Sequence, residues 1–109
     1  MWVPFLIAAG LALAGCISLP QPTAADVTRA QATYPDMSLA SLTDARRTYV
    51  RVCSGCHALH LPKEFPAGRW PSLVDEMVLV QKVKLSFEQR EQIETFLIVM
   101  AERKDGPVR

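Results

Sequence analysis

Apolar residues fall along this chain in three different patterns. Residues 5–13 form an unbroken run, residues 17–37 show no period and are interrupted by Pro20, Pro22 and Pro35, and beyond Ser41 the apolar positions recur at three-and-four spacing. That last spacing is the signature of amphipathic helices. The first opens at Ser41-Leu42-Thr43-Asp44, with Ser41 placed to cap and Asp44 suited to the first turn, and carries Leu42, Ala45, Tyr49 and Val52 on one face up to Cys53. A second opens at Trp70, where Pro71 fits the first helical position, and runs through Leu73, Val74, Met77 and Val80 until Lys84 and Leu85 close it. The third starts with the capping-box pattern Ser86-Phe87-Glu88-Gln89, bears a stripe of Ile93, Phe96, Leu97 and Met100, and ends at Lys104-Asp105-Gly106-Pro107. These patterns predict an all-α domain with about three main helices.

The apolar run at the N-terminus is shorter than the roughly 20 residues that span a bilayer, and small residues follow it, as in a secretory signal peptide. Its end, Leu13-Ala14-Gly15-Cys16, resembles the lipobox of bacterial lipoproteins. That resemblance implies cleavage before Cys16, a diacylglycerol on its thiol and usually a third acyl chain on the freed amine. Acyl chains contribute about 0.8 kcal/mol per buried CH₂, so two or three of them make a lasting anchor. The expected organisation is a signal peptide over 1–15, a lipid-anchored flexible tether over 16–37 and a folded domain over 38–109. About twenty tether residues would reach roughly 70 Å if fully extended. A short helix within 24–33 is the alternative for part of that stretch, although its apolar residues are mainly alanine and could bury little area.

Composition narrows the choices further. A chain of 109 residues with 21% charged side chains and a formal net charge of +1 has room for one small core and carries no broad field to attract nucleic acid. Domains of this size often need a disulfide, a metal or a cofactor to hold together. The three cysteines therefore carry weight.

Two of them stand in Cys53-Ser54-Gly55-Cys56-His57, the C-x-x-C-H signature of covalent c-type haem attachment. Each thiol adds across one haem vinyl group to form a thioether, and the adjacent His57 supplies a ring nitrogen to the iron. A thioredoxin-like redox pair would need a βαβ framework, which the pattern lacks. A zinc site would need further ligands, with only His60 unassigned. Haem is attached outside the cytoplasm, which agrees with an exported N-terminus. With Cys16 acylated and Cys53 and Cys56 in thioethers, no cysteine remains for a disulfide.

Three helices, with the attachment motif at the end of the first and a long amphipathic helix last, resemble small class I monohaem cytochromes c. The resemblance spans about residues 38–104 and is strongest at the motif itself. It implies a cytochrome c-like fold around one haem c, with the first and last helices crossing near Tyr49 and Phe96. A methionine is the usual sixth ligand in such proteins, its thioether favouring the ferrous state. The candidates are Met37, Met77 and Met100, and Met77 is preferred because it matches the spacing from tryptophan in the proteins resembled. Met77 also shares a face with Leu73 and Val80, so a plain core role is the alternative. His60, three residues beyond His57, is expected at the surface. Trp70 is a candidate to line the haem edge and donate its indole N–H to a propionate, and Arg69 and Lys63 could offset propionate charge. A main-chain carbonyl at Pro62 or Pro66 would serve to hold the second ring nitrogen of His57.

The expected function is electron transfer by a membrane-tethered periplasmic carrier, which needs no catalytic group and no small-molecule substrate. Its partners would be redox proteins, and Lys63, Arg69, Lys82 and Lys84 could steer an acidic one. Two alternatives are a haem subunit of a larger oxidoreductase and a five-coordinate haem that binds a gas or peroxide.

Overall fold

A computed structural model describes residues 18–55 and 59–104, so Cys16, Cys56, His57 and the expected signal peptide lie outside the described residues. The described chain is helical, with α1 at Ala24–Ala30, α2 at Leu39–Cys53, α3 at Trp70–Leu79 and α4 at Phe87–Ala101. Two 3₁₀ turns, Pro62–Glu64 and Ala67–Arg69, lie between α2 and α3. Helix α4 is the centre of the assembly and packs chiefly on α2, with α1, α3 and both turns against its other sides.

Local capping chemistry sets where the helices begin. The α2 cap is Ser38, not Ser41: the Ser38 hydroxyl accepts the Ser41 N–H at 3.0 Å, and the Ser41 hydroxyl accepts the Ser38 N–H at 3.0 Å. Either serine satisfies the pattern, and the earlier one wins because Leu39 then joins the helix with both orphan amides answered. Helix α4 starts at the expected box, with Gln89 N–H on the Ser86 hydroxyl at 3.1 Å and Ser86 N–H on Gln89 Oε1 at 3.0 Å. It ends at Ala101, ahead of the Gly106-Pro107 signal. Helix α3 is also shorter than expected. It stops at Leu79, the Val83 N–H closes on the Met77 carbonyl at 3.2 Å, and the chain turns at Lys82, whose φ of 55° is left-handed.

The core forms where α2 crosses α4. Leu42, Ala45 and Tyr49 of α2 meet Ile93, Phe96, Leu97 and Met100 of α4, and the Tyr49 and Phe96 rings lie 5.8 Å apart at 33°. Each large side chain buried there contributes about 1.5–3 kcal/mol. Val99 is buried as well, outside the expected stripe, because a helix covered on several sides needs a wider apolar arc. Thr48 completes the α2 face, its hydroxyl donating to Gln92 Oε1 at 2.8 Å. Across the other side of α4, Arg90 pairs with Asp75 of α3.

The largest departure from expectation lies in the stretch read as a tether. Residues 24–30 form α1, and Val27 and Ala30 are buried against the core. Apolar area alone would not hold so short a helix. The missing term is polar: Asp26 is 1% exposed and meets Arg103 Nε at 3.0 Å and Arg29 Nη2 at 3.1 Å, while Arg29 Nη2 also reaches the Val99 carbonyl at 2.6 Å. Thr23 caps the helix and donates its N–H to Asp26 at 2.8 Å. Burial works against ionisation of Asp26, but the hydrogen bonds from Arg103, Thr23 and Arg29 outweigh it and hold its carboxyl well below the usual range.

Replacing Asp26 with Asn should therefore cost about 2 kcal/mol at pH 7, since two guanidinium groups lose their counter-charge. A carboxyl depressed in the folded state stabilises above its unfolded value of about 3.9, and that stabilisation is lost as the pH falls towards the folded value. Thermal melts should show the gap between wild type and Asp26→Asn narrowing from pH 5 to pH 2. A gap independent of pH would contradict this assignment.

Candidate functional site

The site begins at the C-terminal turn of α2. Cys53 is the last residue of that helix, half-buried against the core, and lies one turn beyond Tyr49 on the same face. Tyr49 is 1% exposed, and its hydroxyl donates to the His60 carbonyl at 2.8 Å. Burial pushes the phenol well above its ordinary pKa, so the hydroxyl stays a donor. The chain that leaves α2 is thereby pinned back on it seven residues after Cys53.

A second buried bond fixes the next segment. Trp70, fully buried at the start of α3, donates its indole N–H to the Pro62 carbonyl at 2.8 Å. Phe65 fills the space between, its ring edge-on to Trp70 at 5.2 Å and 84° and to His60 at 5.7 Å and 70°. Glu64 locks the turn from outside, accepting the Leu61 N–H at 3.0 Å and lying 2.7 Å from His60 Nδ1.

These elements enclose a cleft of about 410 Å³ whose walls include Phe65, Trp70, Leu73, Met77 and Val80, with His60, Glu76 and Gln81 at its polar positions. Helix α3 makes one wall by turning Trp70 and Val74 into the core and leaving Leu73 and Met77 half-buried. Val80, expected on the apolar stripe, is 68% exposed, and its neighbour Leu79 is 76% exposed. Both residues lie at the end of α3, Leu79 as its last residue and Val80 as its cap.

The three candidate methionines separate cleanly. Met100 is 1% exposed in the core. Met37 lies in a different groove, with Tyr34 and Leu42, and its sulfur accepts the Ser41 hydroxyl at 3.5 Å. Met77 lines the cleft. Met77 is half-buried and is not among the residues packed on the core cluster, whereas Leu73 and Trp70 touch both core and cleft.

One expectation needs correction. An indole carries one hydrogen, and that of Trp70 is given to Pro62, so the geometry does not offer it to a propionate. His60 keeps 40% of its side chain exposed, as expected of a surface residue, and also borders the cleft beside Phe65. The Pro62 and Pro66 carbonyls, both offered for His57, already accept from Trp70 and from the Arg69 N–H at 2.9 Å, each retaining one lone pair. Lys63, Arg69, Lys82 and Lys84 are exposed as expected. Phe65 is the cleft-lining residue that the sequence reading did not single out; an aromatic five residues before a buried tryptophan was the available signal.

Among the described residues no group of three or more His, Cys, Asp and Glu side chains gathers to hold a metal. A porphyrin iron does not require one, since the macrocycle supplies four nitrogens and the protein only the axial donors. The residues present fit such a group: the cleft is walled mainly by apolar and aromatic side chains, with the Met77 thioether on one wall. Comparison of the chain with family models, curated proteins and solved structures returned no match.

Substituting Trp70 with Phe keeps the ring but strands the buried Pro62 carbonyl. Unfolding by denaturant should then reveal a loss of about 1–2 kcal/mol. Wild-type stability in this variant would mean that the Pro62 bond contributes nothing to the wall.

Proposed function

We propose that this chain is a monohaem c-type electron-transfer protein, in which Cys53 and Cys56 would bond haem c, His57 and Met77 would ligate its iron, and Cys16 would be the lipid anchor to a periplasmic membrane. A cytochrome c-like arrangement is part of that proposal, resting on the C-x-x-C-H motif at the end of α2 and on the Tyr49–Phe96 contact where α2 crosses α4. The observation that carries it is the position of Met77: among the described methionines it is the one that lines the apolar cleft following the motif.

When bound, the haem supplies a one-electron iron couple. The chain's own residues do the rest. Tyr49 and Trp70 fix the backbone on the C-terminal side of His57 through the His60 and Pro62 carbonyls. Phe65, Trp70 and Leu73 exclude water from the wall beside Met77, which favours the less charged form of a bound metal centre. Met77 offers a soft thioether from a helix whose start is held by Trp70 and whose side is held by the Arg90–Asp75 pair. The exposed Lys63, Arg69, Lys82 and Lys84 suit a weakly docking redox partner with an acidic surface.

The test is the absorption spectrum of protein matured in a host that attaches haem. Wild type should be low-spin, should show the sulfur-to-iron band at the red edge when oxidised, and should resist carbon monoxide when reduced. Met77→Ala should lose that band and bind carbon monoxide, while Met100→Ala and Met37→Ala should keep the band. Retention of the band in Met77→Ala would overturn the ligand assignment, and a high-spin wild type would favour gas or peroxide binding over electron transfer.

A further inference from the structure

The same stretch that was expected to be a long tether is bound to the domain almost from its start. The Leu19 carbonyl accepts Arg46 Nη2 at 2.9 Å, and the Pro20 carbonyl accepts Arg46 Nε at 3.1 Å, so one guanidinium from the middle of α2 grips two successive peptides. Arg103, beyond the end of α4, donates to the Gln21 carbonyl at 2.8 Å while it pairs with Asp26. The Leu19 side chain packs against the core, and Thr23 then caps α1. From Leu19 to α1, three consecutive carbonyls are held by arginines from two different parts of the fold.

Only Cys16, Ile17 and Ser18 separate this clamped strand from the anchoring cysteine's lipid. Fully extended, three residues reach about 11 Å, against roughly 70 Å for a twenty-residue tether. We propose that the folded domain lies directly on the lipid surface, held there by a three-residue leash that the Arg46 and Arg103 clamps keep short. The partner for this face is the bilayer surface itself. The inference rests on the lipid-anchor part of the proposed function and is independent of the haem.

The length of chain between lipid and clamp is what argues for this occupant. A flexible tether would let the domain occupy a shell several domain diameters deep and turn freely. A leash no longer than the width of one helix with its side chains leaves no room for a deeper water layer, and it fixes which end of the domain is lowest. That end carries Leu19, Arg46 and Arg103.

Mass spectrometry of the mature chain comes first, because an unacylated Cys16 would remove the lipid-anchor reading before any distance is measured. Acylated, haem-loaded protein in a supported bilayer of phosphatidylethanolamine and phosphatidylglycerol is then profiled by neutron reflectometry. The inner edge of the protein layer should lie within about 10 Å of the headgroups. Inserting about fifteen Gly and Ser residues between Ser18 and Leu19 should move it outward by roughly 20 Å. Arg46→Ala should move it outward by a smaller distance, and the insertion variant keeps the test decisive if that substitution impairs folding. A hydrated gap of tens of ångströms under the acylated wild type, or an inner edge unmoved by the insertion, would overturn the proposal.

Discussion

Two buried donors, the Tyr49 hydroxyl and the Trp70 indole, each spend their hydrogen on a main-chain carbonyl in the segment after Cys53-x-x-Cys56-His57. The rest of the site depends on that constraint. The segment carries two prolines and has only a single short turn between them, so it cannot satisfy its own carbonyls as a helix would. Tyr49 and Trp70 answer two of them from the core side, and each donor is also a large apolar plug. Packing and backbone placement are thus one event: the α2–α4 crossing that buries Tyr49 against Phe96 also positions His60, and the start of α3 that buries Trp70 also positions Pro62. Together the two bonds shape a cleft with Met77 on its wall.

A second polar cluster does similar work where α1 meets the end of α4. Asp26 gathers Arg29 and Arg103 and ties the short helix to the residues that leave α4. Charged groups this buried stabilise only when each finds a partner, and breaking the set costs far more than it would cost at the surface. Helix α1 has seven residues and only Val27 as an apolar side chain larger than alanine, so it holds through this cluster and its Thr23 cap. The polar clamps on Leu19, Pro20 and Gln21 extend the same logic towards the N-terminus.

Periodicity made the three main helices legible, since stripes such as Ile93, Phe96, Leu97 and Met100 and the Ser86 box depend only on local spacing. Their ends were less legible. Ser38 and Ser41 are equivalent caps on paper, and the end of α3 at Leu79 depends on Lys82 adopting a left-handed turn that its residue type does not advertise. Helix α1 stayed hidden because its stability is tertiary and ionic: an isolated Asp-x-x-Arg in an alanine-rich stretch gives no hint of a second arginine 77 positions away. At the site, Cys53 stood out through its motif and Trp70 through its type, whereas Met77 was preferred on the resemblance, its own spacing being equally that of a core residue. The bond partner of Trp70 did not stand out, because a propionate and a main-chain carbonyl can both accept from an indole N–H, and residue type does not show which lies within reach.

Everything proposed for the cleft depends on porphyrin being joined to the chain through Cys53 and Cys56. The most direct measurement is the intact mass of the mature chain, matured where haem attachment is possible, taken together with its pyridine haemochrome spectrum. One haem added per chain, with the spectrum of two saturated vinyl groups and loss of the added mass in Cys53→Ala/Cys56→Ala, is the expected result. A colourless chain at the mass of its polypeptide and lipid alone would contradict it.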